Sequence, residues 1–291
     1  MNNYDEPLEI SAPIAWDLAA RHCRHDPTTG VTCAWNHGLW QLLRRVGLAG
    51  TAAHRGDFYH HEIRSIAART PRLRLLISGC SDYAMLAQVA RALDGLAVTP
   101  DIVVLDICAT PLHMNRWYAD RLALPIKTVE KDFLNYTGPA DFDIVCTDSL
   151  LGRFPHEQWP QVAARWRALL RPNGYLLTAS RLRPADSPAR IVFSEDQVHA
   201  FRETVRLKMQ QSGFACGIDP DQIAAAAEQY GRLQCNHPLR SEQELRTLLE
   251  QAGLAIEFIT PSTRKVDNAA GIRAPTVPGG GAFLQVVAKR Q

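Results

Sequence analysis

From Leu73 onward the apolar residues fall into short runs separated by stretches of helical period. Leu73, Leu75, Leu76 and Ile77, bounded by Pro71 and Gly79, form a run too short for a helix, which predicts a strand buried on both faces. Ser78 to Ser81 then read as a tight turn, after which Met85, Leu86, Val89, Ala90 and Leu93 recur at helical spacing. Strand, small-residue turn and helix together open a βαβ unit. Asp101 to Leu105 is a second strand ending in Asp106, Pro125 to Phe133 a third unit, and Phe142 to Ser149 a fourth. Parallel strands joined by crossover helices bind ligands beyond their carboxyl ends, and Gly79, Asp106, Asp132 and Asp148 all fall at such ends.

The flanking segments read as helical. Before the first strand, apolar spacing predicts helices around Ile14 to Ala19, around Leu39 to Val46 with a stop at Gly47, and over Phe58 to Ala68, while Met1 to Pro7 reads as a loose end. Trp159, Val162, Trp166, Leu169 and Leu170 mark a core-facing helix before Pro172 and Gly174. Beyond it a Pro-rich hinge leads to a helix from about Ser194 to Ser212, then to another after Asp219-Pro220. Ser241 to Gly253 is a capped helix, and Ala255 to Ile259 and Ala282 to Ala288 are closing strands. This order divides the chain into an N-terminal helical region (1–70), an α/β core (71–182), a helical insertion (183–240), and a helix with the last strands of the core (241–291). Residues 261–281 show no periodicity.

Composition narrows the function classes. The chain has 291 residues, 46% hydrophobic and 21% charged, with a net charge of +2, as expected of a globular protein with one enlarged domain. Its arginines are scattered, which argues against nucleic-acid binding. No apolar run approaches the length of a membrane span and no leader pattern stands at the start. Seven cysteines occur singly, without Cys-x-x-Cys spacing, so they read as reduced apolar fillers in a cytoplasmic protein, and structural zinc is not expected. Walker and Gly-x-Gly-x-x-Gly turns are missing, which leaves NAD binding as a distant alternative.

The landmarks in order, Gly79-Cys-Ser-Asp-Tyr83, Leu105-Asp-Ile-Cys-Ala-Thr-Pro-Leu112, Asp132-Phe133, Thr147-Asp-Ser149 and Leu169-Leu-Arg-Pro-Asn-Gly174, resemble those of class I S-adenosylmethionine (SAM)-dependent methyltransferases of the small-molecule type. The resemblance implies a Rossmann-like doubly wound sheet of about seven strands, the last antiparallel, SAM as cofactor, residues 1–70 as a helical cover over it and the 183–240 insertion as a substrate lid. It places the SAM methionine at Gly79, Cys80 and Ser81, the ribose on Asp106 beside Ile107, the adenine against Asp132 and Phe133, and the reacting methyl near Thr147 and Asp148. Ser81 and Tyr83 stand where the family usually has glycine, and Ile77 where an acid is common.

Arg55 to Glu62 crowds aromatic and hydrogen-bonding groups just before the first strand, so Tyr59 and His60 are the candidate catalytic pair, with Tyr59 covering the sulfonium. Tyr136, Ser149 and His199 are candidates for the substrate pocket, to which Phe193, Phe201, Met209 and Tyr230 of the insertion would also contribute. No metal is expected. The Asn/Asp-Pro-Pro-Tyr signature of nucleic-acid amino methyltransferases does not follow strand four, which favours a small-molecule acceptor, and a homodimer is compatible with the sequence. Two alternatives stand beside methyl transfer: an enzyme that cyclises SAM itself to azetidine-2-carboxylate and methylthioadenosine, and a non-catalytic SAM-binding subunit.

Overall fold

A computed structural model of the chain describes residues 6–26, 29–214, 216–262 and 282–291. The expected loose end up to Asp5 and most of the aperiodic 261–281 loop lie outside the described residues.

The strands are β1 (Arg72–Ser78), β2 (Thr99–Asp106), β3 (Ile126–Glu130), β4 (Phe142–Asp148) and β5 (Leu170–Arg181), with a two-stranded ribbon of β6 (Ile191–Val192) and β7 (Cys235–Asn236), then β8 (Leu254–Pro261) and β9 (Phe283–Arg290). The main sheet has the order β3-β2-β1-β4-β5-β9-β8. Its first five strands are parallel, and β9 runs antiparallel to both neighbours. This is the Rossmann-like sheet expected from the sequence.

The two-residue period explains the two cores. Leu75 and Ile77, Ile102 and Val104, and Ile144 and Cys146 point to one face. Leu76, Val103, Leu105 and Val145 point to the other. The first face is covered by α3 (Gly56–Ala67), α4 (Ala84–Leu93) and α5 (Ala109–Arg121), and the second by α6 (Trp159–Leu169) and α9 (Glu242–Gln251). Strand order reverses between β1 and β4, and the carboxyl ends of those strands diverge there into a crevice.

A third apolar cluster changes the expected division of the chain. Ala12 of α1 (Leu8–His22) and Leu39, Leu42 and Leu43 of α2 (Ala34–Arg45) pack with Phe193 and with Phe201, Val205 and Met209 of α7 (Glu195–Gln211), joined by Ile223, Ala227 and Tyr230 of α8 (Pro220–Leu233). The N-terminal helices and the insertion therefore share one core. Phe193, Phe201 and Met209, expected to line a pocket, are buried in it instead. Among the described residues no helix is long and apolar enough to cross a membrane.

Candidate functional site

A cavity of about 870 Å³ opens over the carboxyl ends of β1, β2, β4 and β5. Ten of the residues singled out in the sequence line it: Gly79, Cys80, Ser81, Asp106, Ile107, Asp132, Phe133, Thr147, Asp148 and Ser149.

Asp106 ends β2 and is 8% exposed. Its Oδ2 accepts a hydrogen bond from the Cys80 N–H and its Oδ1 one from the Cys108 N–H, both at 2.9 Å, which locks the two turns together. Each oxygen keeps a further lone pair for a ligand. Burial pushes this carboxyl up to about 6, against the opposing charge of His37 and the backbone donors. Gly79 has φ +67°, a left-handed conformation that favours glycine, and an added Cβ would press on the Leu150 side chain. Ile107 is 40% exposed, an apolar surface on the cavity wall beside the carboxylate. Asp132 caps its own turn, accepting from the Leu134 N–H and from Asn135 Nδ2, each at 3.0 Å.

Asp148 is held from outside the sheet. Arg55 donates from Nε to Oδ2 at 3.1 Å and from Nη2 to Oδ1 at 2.7 Å, and the Phe283 ring lies 4.1 Å from the guanidinium carbon. Ser149, with φ 59°, donates its hydroxyl to Asp148 Oδ1 at 2.8 Å.

Two residues of this turn, Asp82 and Tyr83, the second of them a departure from the resembled pattern, tie it to the N-terminal helices. Asp82 Oδ2 pairs with Arg44 of α2 at 2.5 Å. Tyr83 is fully buried, hydrogen-bonds Ser11 of α1 through its hydroxyl at 2.7 Å, and stacks on Tyr118 with centroids 4.5 Å apart.

Four expected site residues lie elsewhere. Tyr59 is fully buried behind β4, donating its hydroxyl to the Thr147 carbonyl at 2.9 Å, and its ring does not face the cavity. His60, one position on, turns away on α3, where burial and then Arg91 and Arg64 lower its pKa. Tyr136 folds over Gly138, whose added Cβ would sit 2.5 Å from the ring. His199 is exposed on the outer side of α7. Of the insertion's proposed lining residues, Tyr230 alone reaches the cavity.

Sequence reasoning missed other parts of the wall. Asn36 Oδ1, Ser78 Oγ, Thr147 Oγ1 and Ser180 Oγ are buried in it without a hydrogen-bond partner among the described residues, as is the Trp40 indole N–H. Buried polar groups are normally paired, so these mark the wall as unusual. Arg181 and Arg183 reach it from the end of β5, while Arg153 donates to Gln234 Oε1 at 2.9 Å nearby. Burial, then the charge of Arg181, pulls the Arg183 guanidinium down to about 9. Ser180 and Arg181 occupy a strand's carboxyl end, the same positional signal that marked Asp106. His37, His54 and His237 also line the cavity. The Nδ1 of His54 accepts from the Thr51 N–H at 3.1 Å, and burial keeps His237 below the ordinary imidazole pKa.

Cysteines spread singly in the sequence converge beside this wall. Cys23, Cys33, His37 and Cys108 place their ligand atoms within 4.8 Å of one another, contrary to the expectation of isolated fillers.

No protein-family model and no curated protein matches the sequence. Solved structures do match the fold. A geranyl diphosphate methyltransferase in complex with SAM is 13% identical, with a TM-score of 0.51 over 91% of this chain and 93% of that one. A magnesium protoporphyrin IX methyltransferase from Synechocystis PCC 6803 with bound S-adenosylhomocysteine is 13% identical, with a TM-score of 0.51 over 88% and 96%. The chain has the Rossmann-like fold of SAM-dependent methyltransferases.

Proposed function

We propose that the protein is a SAM-dependent methyltransferase whose acceptor is a small molecule bearing an anionic group. The observation that carries this reading is the buried Asp106 carboxylate at the end of β2, beside the sheet's switch point, facing a cavity whose wall holds orphaned polar atoms. When bound, SAM supplies a methyl group already activated by its sulfonium. Asp106 would accept from the ribose hydroxyls, and Gly79, Cys80 and Ser81 would hold the methionine portion. Ile107 and Phe133 would offer apolar surface to the adenine, and Asp132 would accept from its amino group. Holding the reacting groups in line accounts for roughly 7 to 11 kcal/mol of a displacement barrier, and α2 with residues 46–55 supplies the wall that excludes water.

The anionic character of the acceptor follows from Arg153, Arg181 and Arg183. All three side chains lie on the cavity wall, where they present guanidinium groups to a ligand. Carboxylate or phosphate fits a guanidinium best.

Incubation with SAM and fractionated small-molecule acceptors tests the reading. S-adenosylhomocysteine that accumulates only when acceptor is present is the expected result. Methylthioadenosine from SAM alone would instead establish cyclisation or cleavage, and SAM binding without turnover on any fraction a binding subunit.

A further inference from the structure

We propose that Cys23, Cys33, His37 and Cys108 bind one zinc(II) ion that clasps the N-terminal helices to the turn carrying Asp106. The measured edges are 3.3 Å from Cys23 Sγ to His37 Nδ1, 3.5 Å from Cys33 Sγ to Cys108 Sγ, and 3.7 Å from Cys108 Sγ to Cys23 Sγ. A tetrahedral zinc with Zn–S near 2.3 Å and Zn–N near 2.0 Å has ligand edges of about 3.5 to 3.8 Å. Three of the six edges thus lie close to those of that tetrahedron, and the four atoms all lie within 4.8 Å of one another.

Three separate segments build the site. Cys23 follows the last turn of α1, and Cys33 directly precedes α2. His37 lies four residues on, one helical turn above Cys33 and on the same side. A bridge between His25 and Thr32, with the Cys33 N–H on the Arg24 carbonyl at 3.2 Å, folds the first two ligands against each other. Cys108 precedes α5 across the interface. Cys33 and Cys108 therefore both sit at helix N-termini, where the helix dipole favours a thiolate. Thr110 Oγ1 lies 3.2 Å from Cys23 Sγ, an outer partner of the kind that orients a metal ligand.

Buried cysteines commonly act as small apolar fillers. That role does not explain why a buried imidazole, 9% exposed, turns a ring nitrogen onto three sulfurs drawn from distant parts of the chain. Four protein ligands close the coordination sphere, which is the pattern of a structural rather than a catalytic zinc. Three thiolates with an imidazole select zinc over magnesium, calcium or manganese.

Elemental analysis of the full chain, purified without chelator or a metal-binding tag, is expected to give one zinc per chain. Cobalt(II) added after zinc removal should show the strong visible bands and sulfur-to-metal charge-transfer absorption of a tetrahedral thiolate site. Cys23→Ser and Cys108→Ser should each weaken zinc binding by more than roughly 100-fold, beyond the loss of an outer partner, while Cys235→Ser leaves it unchanged. Wild-type protein without zinc, in which all seven cysteines titrate as free thiols after denaturation, overturns the proposal. A disulfide between any two of the three sulfurs overturns it equally, and zinc retained in Cys23→Ser at wild-type affinity overturns the ligand assignment.

Discussion

Arg55 holds Asp148 with a two-pronged ion pair that crosses from the N-terminal helices to the end of β4. The two side chains are 4% and 11% exposed, so neither charge is solvated without the other. The pair commits Asp148 to position rather than to proton transfer. It also brings the end of β4 together with Phe283 of β9, whose ring lies against the Arg55 guanidinium.

Breaking that pair from one side leaves a buried charge unmatched. Arg55→Met or Asp148→Asn alone is expected to destabilise the fold by about 3 to 5 kcal/mol. The double variant should cost less than the sum, with a coupling of roughly 1 to 3 kcal/mol in urea unfolding. Strict additivity would mean that the two side chains do not meet in solution.

Tyr83 ties α1 to the first crossover helix. Removing its hydroxyl in Tyr83→Phe leaves Ser11 with only its 2.5 Å hydrogen bond to Gln41 Oε1 and should cost about 0.5 to 1.5 kcal/mol. Tyr83→Gly, the residue usual at this position in the resembled family, also loses the stack on Tyr118 and should cost more. If thermal unfolding of Tyr83→Phe matches wild type, the turn does not anchor α1. A chain beginning at Thr70 is expected not to fold, because it exposes the shared core of α2, α7 and α8.

The sheet was legible because its signals are local. Apolar runs, the glycine after β1 and carboxylates at strand ends each lie within a few residues, and the strands from β1 to β5 and the closing pair follow them. The cysteine and histidine quartet was not legible, since its spacing joins three elements that only the tertiary fold brings together. Tyr59 and His60 were misplaced for a related reason. Their aromatic and basic crowding is real, but the helix phase turns Tyr59 under β4 and His60 outward, whereas Arg55, at the start of the same segment, reaches the cavity. The insertion's aromatics follow a helical period that fits a pocket or a core equally well, and the apolar face of α2 decided between them.

The arginine wall predicts a response to anions. Millimolar phosphate or a small dicarboxylate should raise the melting temperature of the wild-type protein, since a ligand at 100 times its Kd adds about 2.7 kcal/mol. Arg183→Met should diminish that response, because it removes one of the guanidinium groups on the wall. An undiminished anion effect in Arg183→Met would place the binding elsewhere.

Isothermal titration of SAM into the wild-type protein and Asp106→Ala bears most directly on the proposed function. Asp106→Ala removes charge-assisted hydrogen bonds to the ribose worth about 1.5 to 3 kcal/mol each, so a folded variant should bind SAM at least roughly tenfold more weakly. Circular dichroism and zinc content of the same sample establish that the turn between Cys80 and Cys108 survives the substitution. Saturable SAM binding that falls in this way is the expected result. Equal affinity in a folded Asp106→Ala protein, or no SAM binding by the wild type, would contradict the assignment of the cavity.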